Sequence, residues 1–210
     1  MCPELGVSAP DTVTRVEIGE GEIGAPPAEF ELSPWGEGKQ TWKVVRDGTA
    51  KAGIAIEQAG VQSREYRSPL AIYKPASFRN AEISLRLNAI GGKSNQGGGL
   101  ALRLRSPQDY YLVQIDALKD RILLSLVRGG LSQEIVGVDA DIAFHAWHTL
   151  TVRAMDDEFA VSLDGAWIFT GFDKTLSQAG RIALWTGSDS FTRFDSIAIA
   201  PLPASKERDR

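Results

Sequence analysis

Alternation of apolar and polar side chains is the feature of this chain that most limits what it can fold into. Across residues 81 to 89 the positions Ile83, Leu85 and Leu87 are apolar while Glu82, Ser84, Arg86 and Asn88 are polar. That is the period-2 signature of a strand with one buried face. The pattern returns at Leu100, Leu102 and Leu104 against Arg103 and Arg105, and at Leu150, Val152 and Ala154 against Thr149, Thr151 and Arg153. Phe159, Val161 and Leu163 repeat it. Turn chemistry separates these runs at Ser106-Pro107-Gln108-Asp109, Arg128-Gly129-Gly130, Asp164-Gly165 and Gly171, and Asp-Gly between apolar runs signals a hairpin. No window of helical length holds a 3.6 period, although residues 117 to 120 and 174 to 179 each suit one turn of helix. About a dozen short strands joined by tight turns predict an all-β, two-sheet antiparallel sandwich.

The 210 residues are 43% apolar and 24% charged, enough to build a sizeable core, and a β-sandwich of this length forms one domain. Residues 1 to 24 read as an N-terminal extension with an edge strand between residues 12 and 18. The sandwich occupies residues 25 to 203, and residues 204 to 210 are a solvated tail. A net charge of -4 supplies no basic stripe for a phosphate backbone, so no nucleic acid partner is expected. No apolar run approaches the roughly 18 residues that span a bilayer.

Cys2 is the sole cysteine, which excludes an intrachain disulfide and a thiolate zinc cluster. No basic region followed by an apolar stretch opens the chain. Met1-Cys2 is what a start Met placed before an acylated lipoprotein Cys would leave; an incidental Cys near a frayed end is the plainer reading.

Hairpin pairing places side chains on faces. With a first turn at residues 106 to 109, Arg105 pairs with Tyr110 and Arg103 with Leu112; with a second at residues 117 to 120, Asp116 pairs with Arg121 and Gln114 with Leu123. One face then carries Leu100, Leu102, Leu104, Tyr111, Val113, Ile115, Ile122, Leu124 and Leu126. The other carries Arg103, Arg105, Tyr110, Gln114, Asp116, Arg121 and Ser125, a set of forked donors, acceptors and an aromatic suited to a polyhydroxylated ligand. The plainer alternative is a solvated sheet face with an Asp116–Arg121 ion pair.

Familiar catalytic motifs fail on their context. The glycine-rich stretch at residues 91 to 99 sits between strands rather than before a helix, so it reads as a hairpin loop at the sandwich rim and not a phosphate loop. His145 and His148 are three apart on a strand and point to opposite faces, so they make no zinc pair, and Trp147 between them reads as a core anchor. No Glu-x-Asp-x-Glu strand exists for a glucanase, and Asp156-Asp157-Glu158 is a turn cluster.

Tyr110-Tyr111, the run Trp147-His148-Thr149-Leu150, Leu163-Asp164-Gly165, the run from Gly180 through Trp185 to Thr186, Ser188-Asp189-Ser190 and Phe194-Asp195 occur in an order that resembles the concanavalin A-like lectin/glucanase superfamily. Within it the chain is similar to bacterial 3-keto-disaccharide hydrolase-like domains, relatives of laminin G modules, over residues 25 to 200. The resemblance implies a jelly roll, export from the cytoplasm and a carbohydrate-related role. Arg103 and Tyr110 match the pattern of that family's sheet face, whereas Gln114, Asp116, Arg121 and Gly187 stand where Arg, Asn, Asn and Lys are more usual. Trp185 and Asp189 would lie near the end of the face. Some members of the superfamily hold a structural calcium, for which Asp195 is the candidate ligand; capping a neighbouring loop is the alternative role for Asp195.

Three functions follow as expectations. The first is a non-catalytic module that binds a glycan or sugar derivative through Arg103, Tyr110, Gln114, Asp116 and Arg121, with Tyr110 stacking on a sugar face. The second is a hydrolase or lyase acting on 3-keto-glycosides, with Asp116 as proton acceptor. The third is a structural or protein-interaction domain.

Overall fold

A computed structural model describes residues 13–33, 41–60 and 69–203. Cys2, the early part of the N-terminal extension and residues 204 to 210 lie outside them. The strands in chain order are β1 (Thr14–Arg15), β2 (Phe30–Leu32), β3 (Trp42–Arg46), β4 (Ile54–Gln58), β5 (Leu70–Tyr73), β6 (Ala81–Gly91), β7 (Gly97–Ser106), β8 (Asp109–Asp116), β9 (Arg121–Arg128), β10 (Leu131–Asp139), β11 (Trp147–Met155), β12 (Glu158–Leu163), β13 (Ala166–Phe172), β14 (Arg181–Thr186) and β15 (Phe191–Pro201). Among the described residues the only helical element is a 3-10 turn at Glu20–Glu22, and no helix is long and apolar enough to cross a membrane.

The strands form two antiparallel sheets. One runs β13-β12-β11-β6-β15-β4-β3 with β1 also on β15, and the other runs β10-β9-β8-β7-β14-β5-β2. Strands adjacent in a sheet are often distant in sequence, because the chain passes repeatedly from one sheet to the other, as in a jelly roll. Alternation supplies the core. Ile83, Leu85, Leu87, Leu150 and Val152 from one sheet meet Leu100, Leu102, Tyr111 and Val113 from the other, each 2% exposed or less.

Three local expectations are corrected. The glycine-rich stretch is no hairpin: β6 and β7 lie in different sheets, so it is the crossover between them. Trp147 is not a core anchor. Pairing of β11 with β6 sets Trp147 opposite Asn88 on the outer face, where the Arg86 guanidinium lies 4.7 Å over its ring and Nε1 donates to Thr49 Oγ1 at 2.9 Å. His148 turns inward instead, its Nδ1 2.7 Å from Asp164 Oδ2 and its Nε2 3.0 Å from the Ala143 carbonyl, while His145 is exposed, so the two histidines do diverge. Residues 174 to 179 form no helical turn, because the Leu176 amide is drawn to the Tyr111 hydroxyl at 3.0 Å and the segment folds over the sandwich end.

Candidate functional site

The outer face of the seven-stranded sheet is laid out in transverse rows. The row at its polar end carries Asp139, Arg121, Asp116 and Gly97, and the next carries Gly137, Leu123, Gln114, Gly99, Trp185 and Leu70. The expected pairs Asp116 with Arg121 and Gln114 with Leu123 are both present. The next row carries Glu134 and a buried Ser125 before Leu112, Ala101, Ala183 and Ile72; with Val127, Tyr110 and Leu104 its apolar members form a second cluster outside the sandwich core.

Two glycines shape the polar end. Gly99 lies between Gln114 and Trp185, and a Cβ there would meet the Val113 carbonyl oxygen at 2.2 Å, so strand β7 runs tight against β8. Gly137 lies beneath Arg121: a Cβ there would come within 2.5 Å of Arg121 Nη2 and 2.6 Å of Glu134 Oε1. The Arg121 fork therefore lies over β10 and pairs with Glu134 at 2.9 Å and with Asp139 at 3.8 Å.

Asp116 does not join Arg121 in an ion pair, although the two are in register. Its Oδ1 accepts from the Leu118 amide at 3.0 Å and the Gln96 amide at 3.4 Å, and its Oδ2 lies 3.1 Å from Lys119 Nζ at an angle short of a hydrogen bond. The carboxylate is 2% exposed and holds the turn after β8. Gln114 is half-buried beside it.

Arg103 is not on this face. The β7–β8 ladder slips between Leu102 and Ser106, so Ala101 rather than Arg103 lies opposite Leu112. The slip coincides with a left-handed Arg103 at φ 49, and such a bulge reverses which face the next residues occupy. The Arg103 side chain enters the sandwich, where Nε donates to the Arg79 carbonyl at 3.0 Å, Nη1 to the Leu176 carbonyl at 3.1 Å and Nη2 to the Asp156 carbonyl. Its guanidinium lies 5.0 Å over the Phe159 ring. Leu104, expected in the core, takes the outward place beside Tyr110. Tyr110 is on the expected face but only 4% exposed, so it offers no open ring to a sugar. Burial pushes its phenol up to about 12; the Trp185 indole acts against that shift, although no bond from its Nε1 meets hydrogen-bond geometry among the described residues.

The crossover beyond the site does bind an anion, and that anion belongs to the chain. Asp189 accepts the amides of Lys93 at 2.9 Å, Ser94 at 2.7 Å and Asn95 at 3.0 Å. Burial works against its charge, but these amides outweigh it and hold the carboxyl below the usual range. Gly187 is packed in the same corner, where a Cβ would meet Asn95 Cβ at 2.7 Å and Ser190 Oγ at 2.9 Å, which leaves no room for a Lys.

Asp195 sits on the other sheet. Its Oδ2 accepts from the Lys51 amide at 2.8 Å and from Arg86 Nη1 at 3.0 Å, so it ties down the loop after β3, the alternative role given above. Calcium takes six to eight oxygen ligands. Here a guanidinium already neutralises the carboxylate, and among the described residues no three His, Cys, Asp or Glu side chains gather to hold a metal ion.

Sequence reasoning missed Glu134 and the two glycines. The signal for Gly99 was a glycine inside a strand, which marks close backbone approach. Glu134 had none, since a register shift in β10 between Glu134 and Val136 hides its parity.

The strand order and packed sheets define a two-sheet antiparallel jelly-roll sandwich, similar to a galectin-like fold. The fold is similar to carbohydrate binding module CBM66 from Bacillus subtilis, with a TM-score of 0.64 and 18% identity, covering 77% of this chain and 92% of that one. It is also similar to a Bacillus subtilis protein of unknown function with a galectin-like fold (TM-score 0.61, 8% identity, 91% of this chain and 97% of that one). A third similar structure is the cellulose induced protein Cip1, with a TM-score of 0.61 and 10% identity over 85% of this chain and 94% of that one. No family model and no curated protein matches the sequence.

Proposed function

We propose that this chain is a non-catalytic, exported carbohydrate-binding sandwich that engages a sugar at the polar end of the outer face of the seven-stranded sheet. The observation behind this reading is the placement of half-buried Gln114 between Leu123 and Gly99, with the Arg121 fork laid over Gly137 one strand further on. Gln114 offers a donor and an acceptor, and Arg121 offers forked donors with Glu134 orienting them. Similarity in fold to a carbohydrate binding module supports the reading.

The 3-keto-glycoside enzyme gains nothing from the geometry. A general base must reach a substrate proton, whereas Asp116 is buried and committed to two amides and Lys119. A glycan array tests the proposal. Gln114→Ala and Arg121→Ala should lose the glycan signal by about tenfold or more with unchanged melting. Retained binding in both variants would remove this face from consideration, and turnover of a 3-keto-glucoside lost in Asp116→Asn would restore the enzyme.

A further inference from the structure

The outer face of the eight-stranded sheet carries a second arrangement, on the opposite side of the molecule. Its register aligns Trp167, Ser162, Thr151 and Ser84 in one transverse row, through the pairs Ser162 with Trp167, Thr151 with Ser162 and Thr151 with Ser84. Ser84 in turn pairs with Ala198 on β15, and Ala198 with Arg15 on β1. Ser162, Thr151 and Ser84 are half-buried, and the Thr151 hydroxyl donates to Ser84 Oγ at 3.2 Å. Small hydroxyl side chains thus floor a lane that crosses the strands.

Larger residues wall the lane. On one side Arg153 pairs with Glu82 at 3.7 Å, and on the other Arg86 pairs with Asp195 at 3.0 Å. At the β13 end Trp167 is 67% exposed, and its indole N–H donates to Thr170 Oγ1 at 3.3 Å, which restrains the ring against its own strand. At the far end a cavity of about 460 Å³ opens, lined among others by Ser84, Lys51, Arg15 and Glu17. Three strand spacings separate Trp167 from Ser84, about 14 Å.

We propose that this lane is a second carbohydrate site, which takes an extended neutral oligosaccharide across the strands. The restrained indole stacks on the C–H face of one sugar ring, and the hydroxyl floor exchanges hydrogen bonds with sugar hydroxyls. A charged ligand gains little, because the wall charges are already paired. A peptide has no ladder to join, because the lane crosses a sheet face whose N–H and C=O groups are engaged within the sheet. The site shares the carbohydrate reading of the preceding section but uses other residues on the other sheet.

Immobilised cello-, xylo-, manno- and fructo-hexasaccharides, with the matching disaccharides, test this on the full chain. Trp167→Ala and Thr151→Arg change exposed or half-exposed side chains, and melting curves confirm that each variant folds; Arg121→Ala reports on the other face. The expected result is a hexasaccharide that binds the unmodified chain, binds more weakly as its disaccharide, and loses about tenfold or more in Trp167→Ala and Thr151→Arg. Hexasaccharide binding unchanged in those two variants overturns the proposal, as does binding lost only in Arg121→Ala, which leaves the first site alone. Absence of binding by every hexasaccharide overturns it as well.

Discussion

Gly180 lies flat against the backbone of Arg103: a Cβ at Gly180 would come within 2.4 Å of the Arg103 carbonyl carbon. The two are coupled, because the left-handed Arg103 that turns its side chain into the sandwich also pushes its own carbonyl toward β14. One glycine therefore permits the bulge that decides which residues reach the outer face.

Gly180→Ala should cost about 2 kcal/mol, since the neighbour that must yield is backbone rather than a flexible side chain. Arg103→Met should cost more, about 3 to 5 kcal/mol, by taking the donor from one buried and two part-buried carbonyls. Arg103→Lys should rescue little, as an ammonium on a flexible stem does not reproduce a planar fork. Urea denaturation of the three variants measures this; equal stability of Arg103→Lys and the unmodified chain would show that charge alone suffices.

Asp189→Asn should loosen the crossover between β6 and β7, and the loss should depend on pH. The Asp189 carboxyl is held below its ordinary value near 3.8, so its contribution is fully present above that value and disappears as pH falls through the lowered one. The stability gap between the unmodified chain and Asp189→Asn should be constant near neutrality and close only in strong acid. Amide exchange at Ser94 and Asn95 should accelerate in the variant.

Gly187→Lys should destabilise by about 1 to 3 kcal/mol through overpacking against Asn95 and Ser190. A melting temperature equal to that of the unmodified chain would show that the corner opens at no cost.

Burial raises the phenols of Tyr110 and Tyr111 from 10.0 to about 12, and for Tyr111 a bond to Asp173 Oδ1 adds to the effect. A raised folded value means that stability is complete below about 10 and is lost as pH climbs toward 12. Phenolate absorbance should lag in the folded protein relative to the urea-unfolded chain, and Tyr111→Phe should flatten the alkaline loss of stability.

Much of the sandwich is written in local periodicity. Alternation in β6, β8, β9, β11 and β12 named the inward residues, and the Ala117 to Asp120 turn fixed the β8–β9 register, so Gln114, Asp116 and Arg121 were placed on one face correctly. These are short-range facts: a strand's parity needs only its neighbours, and a tight turn fixes the register of the strands it joins.

Tertiary structure alone decided where Arg103 and Leu104 point. A left-handed conformation at a non-glycine residue is locally unfavourable, and nothing in the flanking sequence announces it. It persists because the Arg79, Asp156 and Leu176 carbonyls, from three separate parts of the chain, converge on one guanidinium. Trp147, by contrast, faces out in phase with Thr149 and Thr151, as the alternation of β11 requires, and Asp116 turns to Lys119 only three residues on. The sequence determined the strands and most of their faces through nearest-neighbour periodicity; which polar side chains remained free to meet a ligand was settled by contacts between residues far apart in the chain.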